Sequence, residues 1–352
     1  MSLEKHQFAS TRDVSSLDPQ RRRSLQLLAA LALPAGVAPS LQAAPGVRYA
    51  DVGAADLGHN ASLNGGVPFP ADNAWNRDVS TLPVDPASDA IIAAIGAEGR
   101  LRPDFGSGSW KGGPIGIPYV VVSGRQEPVQ VRWMAYGGQS DPGPYPVPRD
   151  AVVEGGLGSD GDRHVLVIDR DRQRLYELYR AFPQTDGSWY ADSGAVFDLR
   201  SNNVRPGGQP GWTSADAAGL PIFPGLVRFD EAMLGPGGIR HALRFTVKRS
   251  RRAYVPPATH YASRSTDPWL PPMGARLRLR ASFNVPADFS VEARAIIAAL
   301  KRHGMILADN GSNWYLSGAP DPRWQNKRLI DELGSLRGGD FEVLRMDGLV
   351  SG

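Results

Sequence analysis

A histidine, a glutamate and a tyrosine at even spacing mark the first candidate site in this 352-residue sequence. Residues 164–179 read His-Val-Leu-Val-Ile-Asp, Arg-Asp-Arg-Gln, Arg-Leu-Tyr-Glu-Leu-Tyr, two apolar runs around a polar break, which predicts a β-hairpin. A four-residue loop places Glu177 opposite Leu166 and His164 opposite Tyr179, because side chains alternate along strands. His164, Glu177 and Tyr179 then share one sheet face and form a usable acid–base set. A purely structural role for the histidine and the glutamate is the alternative.

Two aspartates offer further carboxylates. Asp216 lies within Gly-Trp-Thr-Ser-Ala-Asp-Ala-Ala-Gly at 211–219, where small residues allow a close approach to a ligand and Trp212 could stack on a sugar ring. Asp309 precedes an Asn-Gly pair. With Glu177 these side chains could supply the two carboxylates of a glycoside hydrolase. Both aspartates are also ordinary turn residues, which is the simpler interpretation.

Histidines elsewhere suggest different chemistry. His241 is in phase with the apolar residues of a predicted strand at 241–248, so it either borders a cleft or is a core histidine. His260, Tyr261 and Arg264 share one loop, and a polysaccharide lyase needs a base, an acid and a cation for the uronate carboxylate. Packing of an ordered loop is the alternative for these three residues.

Aromatic residues are frequent in loops of the second half, and we expect Trp212, Trp314 and Tyr261 to stack on sugars. The full set is Trp212, Tyr254, Tyr261, Trp269, Trp314, Tyr315 and Trp324. Tryptophan packed beneath long loops is the alternative.

Several classes are excluded by composition and motif. The absence of cysteine excludes disulfide scaffolds, thiolate metal sites and cysteine nucleophiles. The sequence also lacks a phosphate-binding P-loop and a His-Glu-x-x-His motif. We therefore expect no cofactor, although a metal site that combines distant histidines with Asp216 stays open.

The N-terminus has the pattern of an export signal. Arg21–Arg23 precede an apolar stretch at 25–38 of about 14 residues, shorter than the roughly 20 that a spanning helix needs. The order Arg-Arg-Ser-Leu resembles a twin-arginine signal, with an ordinary secretory signal as the alternative. We predict that residues 1–44 are removed and that the protein is periplasmic or extracellular, without a stable membrane anchor. The mature chain then carries only about +1 net charge, which gives no argument for nucleic-acid binding.

The rest of the chain predicts one mainly β domain over 45–352, a β-sandwich or jelly roll with an extended N-terminal arm and a few peripheral helices. The 40 glycines and 30 prolines exclude a helical bundle. Predicted helices are 88–99, 290–303 and 325–333; predicted strands are 117–123, 129–135, 194–199, 226–231, 241–248 and 276–283, with a second hairpin at 306–316 turning at Asn310-Gly311.

Four segments between residues 115 and 324 carry a resemblance. They are Gly-Asp-Arg-His-Val-Leu-Val-Ile-Asp from 161, Leu-Tyr-Glu-Leu-Tyr from 175, Trp-Thr-Ser-Ala-Asp-Ala-Ala-Gly-Leu-Pro-Ile from 212 and Asp-Asn-Gly-Ser-Asn-Trp-Tyr-Leu-Ser-Gly from 309. The chain resembles a family of secreted bacterial proteins of uncharacterised activity. By architecture it is similar to jelly-roll glycoside hydrolases and alginate-type lyases. The Glu-x-Asp-x-Glu motif of such hydrolases and the Gln-Ile-His motif of the lyases are absent.

These observations favour a secreted enzyme that degrades a polysaccharide or oligosaccharide. The leading hypothesis is a glycoside hydrolase that uses Asp216, Glu177 and Asp309, with His164 or His241 tuning them. The alternatives are a lyase acting on a uronic-acid polymer through His260, Tyr261 and an arginine, and a non-catalytic carbohydrate-binding or envelope module.

Overall fold

The computed structural model describes residues 46–203, 205 and 211–352. The predicted signal peptide lies outside the described residues. Across these ranges, no helix is both long enough and apolar enough to cross a membrane.

The protein is mainly β. The residues that the structure describes form twenty strands, many of them short because glycine and proline interrupt the chain often. In chain order they are β1 (Arg48–Tyr49), β2 (Gly58–His59), β3 (Gly66–Val67), β4 (Arg102–Asp104), β5 (Ser109–Trp110), β6 (Gly113–Pro114), β7 (Tyr119–Val122), β8 (Val131–Trp133), β9 (Val165–Asp169), β10 (Arg174–Tyr179), β11 (Phe182–Pro183), β12 (Trp189–Ala191), β13 (Ser193–Asp198), β14 (Leu243–Val247), β15 (Ala253–Tyr254), β16 (Arg276–Leu279), β17 (Met305–Asn310), β18 (Tyr315–Ser317), β19 (Phe341–Val343) and β20 (Val350–Ser351).

Two larger sheets organise the molecule. One has five strands in the order β13-β10-β9-β7-β2, and the other has six in the order β19-β16-β17-β14-β18-β4. Both are mixed, since β7 pairs with β9, β14 with β17 and β18 with β4 in parallel. A three-stranded sheet, β11-β12-β8, and three two-stranded ribbons complete the strand pairing of the described chain.

Helices are few and short. They are α1 (Ser88–Ile95), α2 (Phe229–Ala232), α3 (Val291–Arg302) and α4 (Asn326–Leu333). Ser290 caps α3 as its sequence predicts, because its Oγ accepts a hydrogen bond from the Ala293 N–H. Ser88 does not cap α1: its Oγ accepts from the Val343 N–H and ties α1 to β19.

The predicted first hairpin is confirmed in register. β9 and β10 pair antiparallel with Asp169 opposite Arg174 and Glu177 opposite Leu166. The rings of His164 and Tyr179 lie 5.9 Å apart. Both strands are buried on both faces of the sheet, because apolar residues of opposite phase enter two different core clusters.

Two other predicted elements are wrong. The strand at 226–231 does not form: Val227 makes a single parallel bridge with Gly318, and α2 begins at Phe229. The second hairpin does not form, since β14 lies between β17 and β18 and pairs with both of them. The chain after Asn310-Gly311 therefore crosses over β14, and the turn signal marks a crossover connection.

The larger core cluster joins the two main sheets. Leu166, Ile168 and Phe197 come from the five-stranded sheet, and Phe245 and Leu307 come from the six-stranded sheet. All five side chains are at most 1% exposed. Polar side chains that enter this shared core must be satisfied there, because an unpaired buried polar group costs on the order of 1–3 kcal/mol.

Candidate active site

One buried arginine joins two of the predicted carboxylates. Arg244 lies on β14 and donates from Nε and Nη2 to the two oxygens of Asp216, each at 2.8 Å. Its Nη2 also donates to Asp309 Oδ2 at 3.2 Å, and its Nη1 donates to Ser317 Oγ at 2.7 Å. The side chain of Asp216 is fully buried, whereas that of Asp309 is 20% exposed. Asp309 is therefore the carboxyl group of this pair that a ligand can reach.

A bulge brings Asp309 to the arginine. The register between β14 and β17 shifts by one residue: Phe245 pairs with Leu307, but Thr246 pairs with Asp309. Ala308 is the extra residue, so Asp309 faces the side of the sheet that Arg244 occupies. Without the bulge, Asp309 would face the opposite side.

Residues 211–219, here called the small-residue segment, contain Asp216 and pack next to Asp309. The Ala218 N–H donates to the Ala308 carbonyl at 2.9 Å, which anchors the segment to the bulge. Gly219 has φ +72°, and a Cβ there would lie 2.2 Å from Thr259 Oγ1 and 2.9 Å from the Trp212 carbonyl oxygen. Only glycine fits at position 219 without rearrangement of the segment.

His164 supports the same segment from the five-stranded sheet. Its Nδ1 lies 2.6 Å from Glu154 Oε2, and its Nε2 lies 3.0 Å from the Ala215 carbonyl oxygen, so both nitrogens act as donors when the ring is protonated. Burial lowers the pKa of His164, but the Glu154 carboxylate outweighs it, and the pKa rises to about 9. The charged imidazole fixes the backbone beside Asp216.

Glu177 lies behind the site. Its side chain accepts hydrogen bonds from the backbone N–H groups of Ile222 and Phe223 at 2.9–3.0 Å, and the residue is fully buried. Burial raises the pKa of Glu177 to about 7, although the two N–H groups oppose that rise. Its contacts give it a structural role in holding the chain that follows the small-residue segment.

A cavity of about 290 Å³ opens beside Asp309. The small-residue segment forms one wall. Thr213, Ser214 and Asp216 of that segment line it, and the other ionisable and polar residues around it are Asp162, Tyr136, Gln139, Tyr179, Ser193, His260, Asp309 and Asn310. Asp162 is exposed, and its charge contributes to raising the pKa of Asp309. None of the described residues that line the cavity is a lysine or an arginine.

The pKa of Asp309 depends on the residues around it. Burial is the main cause that raises the pKa of Asp309, the negative charge of Asp216 adds to it, and Arg244 opposes it, which gives a pKa of about 7. Arg244 favours ionisation of Asp309 only weakly, because its bidentate contact is with Asp216 and its single contact with Asp309 is longer, at 3.2 Å. Asp309 can therefore donate a proton near neutral pH.

His260 and Tyr179 add two further groups. His260 Nδ1 donates to the Ala217 carbonyl oxygen at 2.7 Å, so a neutral His260 ring carries its lone pair on Nε2. Tyr179 packs against His164. Burial raises the pKa of Tyr179, so its hydroxyl stays protonated at neutral pH.

The other predicted site residues do not line this cavity. His241 is buried elsewhere, with Nε2 3.1 Å from Glu231 Oε2. Trp314 is 1% exposed in the core and donates its indole N–H to the Gly96 carbonyl oxygen, so it cannot stack on a sugar. The half-buried Trp212 lies under the Arg205 guanidinium, and Tyr261 stacks on His260 next to the cavity. Arg264 is exposed.

Sequence reasoning missed Arg244, Glu154 and Asp162. Arg244 had a detectable signal, because it is a charged residue inside an otherwise apolar strand and must therefore have a buried partner. Glu154 and Asp162 lie in loops before β9, where nothing in the local sequence marks them. Arg244 comes from the six-stranded sheet, whereas Glu154 and Asp162 precede β9 of the five-stranded sheet. The site therefore contains residues associated with both main sheets and with the small-residue segment.

Among the described residues, no group of three or more histidine, aspartate or glutamate side chains is arranged to hold a metal ion. Comparison of the chain with protein-family models, curated proteins and solved structures found no match.

Proposed function

We propose that this protein is a secreted glycoside hydrolase whose general acid is Asp309. The observation that carries the proposal is the cavity, where a half-buried Asp309 with a pKa of about 7 and an exposed Asp162 carboxylate share one space. Glycoside hydrolysis by most mechanisms needs one protonated carboxyl group and one carboxylate beside the scissile bond.

The roles follow from each group's surroundings. Asp309 donates its proton to the glycosidic oxygen as the bond breaks. Asp162 acts as the second carboxylate, on water or on the anomeric carbon. Asp216 and Arg244 are positioning residues, because their mutual contacts are saturated and the Asp216 side chain is buried. This chemistry requires no cofactor.

The charge of the cavity favours a neutral sugar over a uronate. His260 and Tyr179 are groups that a lyase could use, and both line the cavity. A lyase must also neutralise the substrate carboxylate, and the described lining offers carboxylates and no lysine or arginine for this purpose. A polymer of uronic acids would be repelled by Asp162 and by ionised Asp309.

The fold and the location are parts of the same proposal. Two main sheets that contribute to one core support a β-sandwich related to the jelly roll, with the parallel pairs as departures from it. The basic and apolar leader supports export through the twin-arginine route. Fractionation of cells that express the full chain tests export: periplasmic or extracellular protein supports it, whereas retention in the cytoplasm contradicts it. Arg22→Lys together with Arg23→Lys would block only a twin-arginine signal.

The activity is tested by incubating the mature protein with neutral and acidic polysaccharides while new reducing ends and the ultraviolet absorbance of unsaturated uronates are followed together. Reducing ends from a neutral glycan without absorbance support the hydrolase. A joint rise on a uronate polymer supports the lyase instead. Binding without cleavage on every glycan contradicts both enzymes and supports a binding module.

A further inference from the structure

A second, larger cavity of about 450 Å³ lies between residues 62–67 and 228–240. Its apolar walls include Leu63, Val67 and Tyr119, each 4–5% exposed. The Tyr119 hydroxyl donates to the Ala61 carbonyl oxygen at 2.8 Å, so this ring offers a ligand mainly apolar surface. Leu234 is 53% exposed at the same cavity. This composition suits the apolar body of a small molecule.

Four of the five charged groups that line this cavity are paired with a group of opposite charge. Asp230 pairs with Arg323 at 2.7 Å, and Arg302 pairs with Asp78 at 3.0 Å. Glu231 binds the Arg228 guanidinium through one oxygen and lies 3.1 Å from His241 through the other. Both acidic groups of the lining are therefore paired with arginine, although Asp230 shares Arg323 with Asp321.

Arg240 is the exception. It is half-buried at the cavity, and its guanidinium has no hydrogen bond or ion pair with any described residue. Arg228, 3% exposed in the same wall, has a buried Nε with no partner in the described part of the chain. The cavity thus combines an apolar lining with a guanidinium that has unused donors, and a carboxylate matches such a group in a bidentate geometry.

We propose that this cavity binds a small organic acid, with its carboxylate on Arg240 and its apolar body against Leu63, Val67 and Tyr119. One unpaired guanidinium matches a monoanion better than a phosphate dianion, which would need further cations. The two cavities then differ in charge: the described lining beside Asp309 has carboxyl groups and no lysine or arginine, whereas this lining has three arginines against two carboxylates.

The test uses the mature protein with benzoate, its uncharged analogue benzamide, and inorganic phosphate as probes in isothermal titration. We expect benzoate to bind, and benzamide to bind about tenfold more weakly or worse, because hydrogen bonds to a charged group are among the stronger ones. Arg240→Gln should weaken benzoate binding by a similar factor. Arg125→Gln, at an exposed arginine outside the cavity, should leave it unchanged.

Leu234→Asp provides a second variant if Arg240→Gln fails to fold, because it places a negative charge on an exposed wall and should also weaken benzoate binding. The proposal is overturned if the wild-type protein does not bind benzoate, if phosphate binds as tightly, or if a folded Arg240→Gln variant binds as the wild type does. None of these readouts involves glycan cleavage, so the hydrolase proposal is tested separately.

Discussion

At the scale of single residues, Arg244 decides how the two aspartates divide their roles. Arg244 binds both oxygens of Asp216, whereas it contacts Asp309 only at Oδ2, at 3.2 Å, and Asp309 Oδ1 accepts from the Asn310 N–H at 2.7 Å. The like charge of Asp216 then helps to hold the proton on Asp309. Residue types alone suggested both aspartates as catalysts. The contacts of the buried Arg244 distinguish Asp309, the proposed acid, from Asp216, the positioning residue.

Asp216→Asn is expected to move the pH dependence of activity. Removing the negative charge beside Asp309 lowers the pKa of Asp309 below about 7, because burial remains but the repulsion is lost and Arg244 is freed. The alkaline limb of the kcat/KM profile, where the acid has lost its proton, should therefore shift to lower pH. An unchanged limb would contradict the assigned coupling. Asp186→Asn, at an exposed aspartate outside the cavity, serves as the matched control.

At the scale of elements, the sequence predicted the strand pairing only where the paired strands are close together in the chain. The first hairpin followed from its sequence because both strands and their polar loop are contiguous, so alternation fixes the register. The Asp309 region did not follow, because β14 is more than fifty residues earlier in the chain and enters between β17 and β18. The bulge at Ala308 likewise has no local signal, although it aims Asp309 at Arg244. Non-local pairing is thus what creates the site.

Gly219→Ala tests the fit of the small-residue segment. The added Cβ meets Thr259 Oγ1 at 2.2 Å in a backbone with φ +72°, so we expect a loss of about 1–3 kcal/mol of stability or more, together with reduced activity. Gly108→Ala is the matched control, since Gly108 also has positive φ (+82°) but nothing lies within 4 Å of its added Cβ. Chemical denaturation measures both variants, and equal losses would show that crowding at Gly219 is unimportant.

At the scale of the whole molecule, the hydrophobic pattern was enough to predict a mainly β protein with few helices. It was not enough to predict the order of strands in the two sheets. It also assigned Trp314 to the surface, because an indole in a loop-like segment gives no sign that Phe245 and Phe341 will stack on it. The polar contacts of Glu154, His164 and Arg244 also depend on the whole fold, because these residues are held by two different sheets.

Stability should depend on pH through His164. Its pKa is about 9 in the folded protein and 6.5 as the ordinary value, so its ion pair with Glu154 stabilises fully below pH 6.5 and is lost as the pH rises through 9. We expect the melting temperature to fall across this window. His164→Gln should be less stable at pH 6 and show a flatter dependence between pH 6.5 and 9. A variant with the same slope as the wild type would refute the assigned ion pair.

The most direct test of the central claim compares Asp309→Asn with the wild type on the neutral glycan that the wild type cleaves best. The account predicts that kcat falls by about 10²–10⁴, the usual contribution of general acid catalysis, while glycan binding and the folded state persist. A substrate with an activated phenolic leaving group should lose much less, because it needs no proton from Asp309. An Asp309→Asn variant that retains wild-type kcat on the natural glycan would contradict the account.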